Sequence, residues 1–379
     1  YTVEFYYQNV DGTYPETTKE KDERTGTTDT TVSVTDDDKA AKENGKYTYD
    51  ADAANVESGT IAGDGSLVLE LYFKLNQASY TIHHYLWTNK GATTVKVAED
   101  DTGKMTIGET LDAAPFVRND IDKVTFKEYS PESGKKEITA NSQENVIIIY
   151  YTDAPALQAE GFDKVFDGNT YSMNPATMAG NFQEFTITYQ YKPAGSETWS
   201  VEVNDPSAFQ MTYAGTLDVK VIARNDNYDD ITTEVQLKIT PRPVKIVVNS
   251  ATVTYNGTMW TVAGADGKEY AIEAFDGNAN SGIVEGYTVA DLNVVYGDDE
   301  AAGKTNAGEY VAKIKEKPEE IQVKLDAGSG EDMSENFAFE LVSSQLVINK
   351  APATVTITGI NETHVYDGKQ HEANGYNYS

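Results

Sequence analysis

The 379-residue chain sets 30 Lys and Arg against 61 Asp and Glu, a formal net charge of −31, which repels nucleic-acid phosphates and bare anionic lipid and excludes both as expected partners. With no cysteine, disulfides, thiol chemistry and cysteine metal sites are excluded, and no run of 18 apolar residues offers a membrane-spanning helix in this segment. The acidic excess reads first as a solvated surface and second as a means of recruiting divalent cations.

Tyr1-Thr2-Val3-Glu4-Phe5-Tyr6-Tyr7 opens as a strand that Asp11-Gly12 ends with a turn. Asp36-Asp37-Asp38-Lys39-Ala40-Ala41-Lys42-Glu43-Asn44 is predicted as a short helix, because acids suit its N-terminal dipole and Asn44-Gly45 a left-handed cap. After a turn at Gly63-Asp64-Gly65, Leu67, Leu69, Leu71 and Phe73 alternate along one face of a half-buried strand. The pattern then restarts. Tyr80-Thr81-Ile82-His83-His84-Tyr85-Leu86 echoes the opening strand 79 residues later, Gly108-Glu109-Thr110-Leu111 echoes Asp29-Thr30-Thr31-Val32 at the same offset, and Ile149-Tyr150-Tyr151-Thr152 echoes Leu71-Tyr72-Phe73-Lys74 at 78. A nearly constant offset across three segments marks duplicated domains, placed at 1–76 and 77–153. Asn145 to Tyr151 is apolar on both faces and reads as a central strand.

Ala154-Pro155-Ala156 marks a break. Beyond it one phrase recurs: Phe166-Asp167-Gly168, Tyr255-Asn256-Gly257 and Tyr366-Asp367-Gly368, spaced 89 and 111 residues apart. Leu217, Val219, Val221 and Ala223 alternate along one strand and Val235, Leu237 and Ile239 along another, after which Pro241-Arg242-Pro243 and, one copy later, Lys350-Ala351-Pro352 read as stiff hinges. Domains are expected at 154–243 and 244–352, with 353–379 the start of a further repeat cut from something longer.

The Tyr366-Asp367-Gly368-Lys369 phrase, Ala214-Gly215-Thr216, Asn227-Tyr228, Asn306-Ala307-Gly308-Glu309-Tyr310 and Ile348-Asn349-Lys350-Ala351-Pro352 resemble MBG-type repeats, immunoglobulin-like modules of bacterial adhesins. The first half is similar to MucBP and internalin-type B repeats through its opening strand, Asp11-Gly12-Thr13-Tyr14, Gly26-Thr27-Thr28 and Leu71-Tyr72-Phe73-Lys74. The resemblance implies two β-grasp-like (α+β) modules followed by immunoglobulin-like β-sandwich repeats, a mainly β tandem array. It also implies a wall-anchored surface protein of Gram-positive, host-associated bacteria, its anchor outside this fragment. Asp29 stands where the second copy has Gly108, a departure that bears on the turn there.

Motifs for chemistry are few. Gly297-Asp298-Asp299-Glu300-Ala301-Ala302-Gly303-Lys304-Thr305 imitates a phosphate loop, but it has five residues between its glycines where four are needed, and its acids oppose an anion. His83 and His84 are adjacent on a strand and point to opposite faces, while His364 and His371 flank a turn across which they could meet. Asp276 to Asn280 begins like an EF-hand but lacks its glycine and glutamate. The calcium candidates are Asp226, Asp229, Asp230, Asp298, Asp299 and Glu300. Of the three tryptophans, Trp87 is the ligand-binding candidate, placed in a loop-bound segment ending at Gly91, while Trp199 and Trp260 read as core or face residues. No triad or nucleophile elbow is present, so the chain reads as non-catalytic: an adhesin holding host glycan such as mucin, or host protein, with a passive spacer as the alternative. No cofactor is expected beyond possible calcium.

Overall fold

The computed structural model describes residues 1–18, 20–326, 331–373 and 375–379. The chain is mainly β, a succession of small sheets, and no α-helix occurs among the described residues. It divides into two compact units, Tyr1–Ala159 with Pro175–Tyr189 and Lys220–Glu234, and Glu160–Asn174 with Gln190–Val219 and Val235–Ser379.

In the first unit, strands β1 (Thr2–Tyr7), β2 (Glu20–Glu23), β3 (Thr31–Ser33), β4 (Tyr47–Tyr49), β5 (Ser58–Thr60) and β6 (Val68–Leu75) follow one another. The main sheet has the order β2-β1-β6-β4. Its first and last strands run parallel at the centre, Thr2 beside Val68 and Tyr7 beside Phe73, which needs a long crossover because parallel strands cannot be joined by a tight turn. That crossover carries no α-helix among the described residues, so the α+β character expected of the first two modules is replaced by an all-β one. Next come β7 (Gln77–Thr88), β8 (Gly91–Lys96), β9 (Asp101–Thr106), β10 (Thr110–Asp112), β11 (Thr125–Ser130), β12 (Lys135–Glu137) and β13 (Val146–Thr152). The same parallel centre recurs, Thr81 beside Val146 and Leu86 beside Tyr151. The offsets of 79 and 78 are therefore offsets between structurally equivalent strands.

Strand alternation decides what is buried. Leu69, Leu71 and Phe73 are fully buried in β6 with Val3, Phe5, Tyr7 and Tyr47, while Val68, Glu70 and Tyr72 on the other face are half-exposed. In the second copy Ile82, Leu86, Ile147, Ile149 and Tyr151 form the equivalent core. Replacing Leu71 by alanine is expected to destabilise the first unit by about 3 kcal/mol through lost burial and a residual cavity, measured as a lowered midpoint in chemical denaturation.

Two local expectations change. Asp36 to Asn44 is a series of turns rather than a helix. The Asp38 carboxylate accepts from Thr35 N at 2.7 Å and from Thr35 Oγ1 at 2.9 Å and is clasped by Arg24, so this acid closes a turn on itself instead of favouring a helix dipole. Glu43, Asn44 and Gly45 all adopt positive φ, which ends any helical continuation. The exchange of Asp29 for Gly108, by contrast, leaves the turn unchanged: both residues are left-handed, with φ of 58° and 93°. Asp29 N donates to Ile61 O, and Gly108 N donates to Ile138 O in the same way.

The chain continues with β14 (Ala156–Gln158), β15 (Phe162–Val165), β16 (Tyr171–Ser172), β17 (Thr177–Ala179), β18 (Thr186–Pro193), β19 (Gln210–Met211), β20 (Gly215–Arg224) and β21 (Ile231–Thr240). In the second unit β15 pairs parallel with the end of β21, Phe162 beside Leu237. There follow β22 (Arg242–Val248), β23 (Ala251–Thr254), β24 (Tyr270–Glu273), β25 (Tyr287–Val289), β26 (Val294–Tyr296), β27 (Gly308–Ile314), β28 (Val323–Leu325), β29 (Phe337–Val342) and β30 (Ser344–Asn349). They form two larger sheets of order β24-β22-β29 and β23-β30-β27-β26, and β25 pairs with β28 in a two-stranded sheet. Here too the strand before the recurring phrase pairs parallel with a last strand, Ala251 beside Leu346.

The phrase itself is an Asx turn closed by a left-handed glycine. Asp167, Asn256 and Asp367 each accept, through Oδ1, the backbone N–H two residues on, and Gly168, Gly257 and Gly368 have φ of 81°, 84° and 74°. The aromatic residue ahead of it differs in environment: Phe166 is fully buried against Tyr287 and Phe337, whereas Tyr366 is 94% exposed.

The expected hinge at Pro241-Arg242-Pro243 is narrower than its composition suggests. Only Pro241 separates β21 from β22, and the Arg242 guanidinium donates to the carbonyls of Gly282, Ala279, Ser281 and Phe166 at 2.9 to 3.3 Å.

Candidate functional site

The first unit carries the site around Trp87. The tryptophan belongs to strand β7 rather than to a loop, and the turn follows it at Asn89-Lys90. Period-2 alternation buries Leu86 and leaves Trp87 half-exposed on the outer face. Its ring meets Tyr150 of β13 edge to face, centroids 5.1 Å apart, a favoured aromatic geometry. The Trp87 indole N–H meets no protein partner among the described residues.

At this end of the parallel pair lies a cavity of about 480 Å³, bordered by Trp87, Asn89, Lys127, Asp153 and Tyr228 among others. Tyr228 and Ile231 supply part of its wall, and the Asn225–Asp230 segment that carries Tyr228 is held in place from several directions. Thr88 Oγ1 donates to Asn227 O at 2.6 Å, Asp229 N to Asn89 Oδ1 at 3.1 Å, and Asn225 Nδ2 to Glu184 O at 2.8 Å. Tyr228 plugs into the second core, packs on Phe185 and donates its hydroxyl to Asp153 Oδ2 at 2.7 Å. Burial first, and then this hydrogen bond, raise the Tyr228 phenol well above its ordinary value. The same Asp153 oxygen accepts from Phe182 N at 2.8 Å, so one oxygen of the carboxylate is committed to structure. Asp153 Oδ1 is buried without a partner.

The histidine pair obeys strand geometry. His83 lies on the outer face, stacked on Tyr85 at 5.2 Å and paired with Asp100 at 3.1 Å. His84 points inward, fully buried, between the Tyr151 hydroxyl and Asp101, each at 3.0 Å. Tyr151 is also fully buried, so the phenol and imidazole of this Tyr-His-Asp relay lie in the core, while Asp101 is 26% exposed at its outer end. His364 and His371 do meet, rings stacked at 4.4 Å, but their Nε2 atoms face Glu362 and Asp367.

The structure does not assemble the calcium candidates into ligand sets, and no group of three His, Asp or Glu side chains suited to a metal occurs among the described residues. Asp230 pairs with Arg224 at 2.9 Å, Asp299 with Lys304, and Glu300 with Lys313 at 3.2 Å. Asp226 offers its backbone carbonyl to Lys90, and Asp229 its N–H to Asn89. Asp298 makes no side-chain contact of this kind among the described residues. Consistent with its pairing, the Asp299 carboxyl is held below its usual value chiefly by Lys304. The phosphate-loop lysine is thus occupied internally, also lying over the Tyr310 ring at 5.2 Å. Trp199 is half-buried beneath Lys192 at 4.8 Å, and Trp260 is half-buried with its indole nitrogen buried and unpartnered.

Sequence reasoning singled out Trp87 but missed Tyr85, Tyr150, Asn89, Lys127 and Asp153. The usable signal was the duplication, which aligns Tyr85 with Tyr6 and Tyr150 with Tyr72.

No family model matches the sequence, and no curated protein matches it. Solved structures it resembles include human CDH23 EC21-23, at 8% identity over 72% of this chain and 99% of that one with a TM-score of 0.25. The fibronectin(III)-like modules of Clostridium thermocellum CbhA match at 10% identity over 56% of this chain and 100% of theirs, TM-score 0.18. SGBP-B of Bacteroides ovatus, solved in complex with a mixed-linkage heptasaccharide, matches at 14% identity over 52% of this chain and 48% of its own, TM-score 0.17. Likenesses at these TM-scores carry no argument about what this chain binds.

Proposed function

We propose that this chain is a non-catalytic array of surface modules, two MucBP/B-repeat-like at 1–76 and 77–153 and two MBG-type at 154–243 and 244–352, and that it holds a host glycan such as that of mucin at the outer wall of a Gram-positive bacterium. The observation that carries this reading is the half-exposed Trp87 ring at the mouth of a cavity bordered by Asn89, Lys127 and Asp153. A flat apolar ring beside a few polar groups suits a sugar, whose faces are apolar and whose edge is a ring of hydroxyls. The Tyr151-His84-Asp101 relay supports a non-catalytic reading, because its phenol and imidazole are fully buried and only the Asp101 carboxylate reaches the surface.

The full chain is expected to bind immobilised mucin saturably and to lose that binding when the mucin is enzymatically deglycosylated. Trp87→Ala is expected to weaken binding about 10- to 30-fold, the size of an aromatic anchor in an interface, with the circular dichroism spectrum unchanged. Equal binding by Trp87→Ala would remove this site from the account. Absence of saturable binding by the wild-type chain would favour a spacer that projects another part of the protein.

A further inference from the structure

The duplicated modules form an internal comparison. In each, the parallel central strands place a tyrosine beside a tyrosine on the outer face: Tyr6 beside Tyr72 in the first copy and Tyr85 beside Tyr150 in the second. What surrounds the pair differs. In the first copy Tyr6 and Tyr72 stack at 4.8 Å, and Tyr6 is only 8% exposed. Every hydroxyl there is consumed by an acid, Tyr6 donating to Glu4 at 2.8 Å, Tyr72 to Glu70 at 3.3 Å, and the overlying Tyr14 to Asp50 at 2.8 Å. That face is sealed by its own side chains.

In the second copy the two strand positions that supply Glu4 and Glu70 carry no acid. His83 stands at the position of Glu4 and Ile148 at that of Glu70. The hydroxyls of Tyr85 and Tyr150 therefore meet no protein partner among the described residues, though both rings are half-buried. Trp87 takes the edge-on place over Tyr150 that Tyr14 takes over Tyr72, but its N–H is likewise uncommitted. His83, Tyr85 and Trp87 lie at alternate positions of one strand, so their rings form a row about 13 Å long. No cation along the row is left over for an anion: Lys96 is paired with Asp100 at 3.0 Å, Lys127 near one end is opposed by Glu128, which sits beside Tyr150, and Asp153 adds a carboxylate beside Trp87. A row of aromatic rings with uncommitted hydrogen-bonding edges and no spare positive charge suits a neutral saccharide chain and disfavours an anionic one.

Resting on the glycan-binding reading above, we infer that the outer face of the second module, along His83, Tyr85, Trp87 and Tyr150, is the binding track for a neutral, unbranched oligosaccharide, and that the equivalent face of the first module is closed to it. Both phenols and the indole N–H hydrogen-bond sugar hydroxyls, while the rings pack on sugar faces.

The test uses the full chain with a neutral linear oligo-N-acetyllactosamine and its sialylated counterpart, titrated by calorimetry. Tyr85→Phe and Tyr150→Phe remove only oxygen atoms without protein partners, so each is expected to weaken binding about 3- to 10-fold while leaving the melting temperature unchanged. Tyr6→Phe and Tyr72→Phe are expected to show the reverse, unchanged binding with a lowered melting temperature. Neutral oligosaccharide should bind at least as well as the sialylated form. Binding that is lost in Trp87→Ala but unchanged in Tyr85→Phe/Tyr150→Phe would overturn the track and leave the Trp87 reading standing. Equal loss in the first-module variants, or a requirement for sialic acid, would also overturn it. Failure of the wild-type chain to bind either sugar or mucin would overturn both readings.

Discussion

Asp38→Ala is expected to destabilise the first unit by about 3 kcal/mol. The carboxylate is buried and accepts both guanidinium arms of Arg24, Nη1 at 2.9 Å and Nη2 at 2.5 Å, together with the backbone and hydroxyl of Thr35. Removing it strands a cation and reopens the turn, and breaking a buried pair on one side costs more than the pair contributes. The partial exposure of the Arg24 side chain, 25%, keeps the figure at the lower end of the range for such losses. Asp38 also predicts a pH dependence. Its folded-state pKa is depressed, first by Arg24 and then by Thr35, against the opposing effect of burial. A group with a depressed folded pKa contributes stability that is fully present above its unfolded value, near 4, and is lost as the pH falls toward the folded one. The denaturation midpoint of the first unit should therefore decline below pH 4, and the Asp38→Ala variant should lose a smaller amount over that interval. An equal decline in variant and wild type would contradict this assignment.

The second large effect is expected at His84→Ala, about 3 kcal/mol. Asp101 only accepts, so His84 Nε2 donates to it, and in the neutral imidazole Nδ1 then accepts from the Tyr151 hydroxyl, whose oxygen also accepts from Arg118 N at 2.8 Å. Arg118 then closes the circuit on Asp101 at 3.1 Å. Alanine would leave a cavity in the core and two polar groups with fewer partners. Tyr151→Phe, which removes one oxygen and keeps the volume, should cost about 1 to 2 kcal/mol. Chemical denaturation of the two variants checks both the size and the order of the losses; a Tyr151→Phe loss equal to that of His84→Ala would assign the effect to the hydroxyl alone.

Much of the fold was legible because strand alternation and duplication are written directly in side-chain order. The offset between Tyr1 and Tyr80 predicted two equivalent sheets, and Leu67, Leu69, Leu71 and Phe73 predicted which face of the closing strand is buried. The false helix at Asp36 to Asn44 arose from a local preference that a distant residue overrides: Arg24 lies 14 positions away and draws Asp38 into a turn. Trp87 was misplaced in a loop because Asn89-Lys90-Gly91 reads as a long turn signal, whereas β7 runs to Thr88. The acid clusters suggested calcium, yet Asp230, Asp299 and Glu300 find lysine and arginine partners that composition alone could not pair with them. Asp153 was illegible as a site residue since its role depends on Tyr228, 75 residues later. The difference between the two tyrosine pairs was available in the sequence, as Glu4 against His83 and Glu70 against Ile148. It acquires meaning only once the register sets those residues beside the rings.

The central claim is that one face of this chain holds a glycan, and it is tested most directly by comparing wild-type chain with Trp87→Ala for binding to mucin before and after deglycosylation. The account predicts saturable wild-type binding that deglycosylation abolishes and that Trp87→Ala weakens at least 10-fold. Binding that survives removal of the glycans, or that is the same in both proteins, would contradict it.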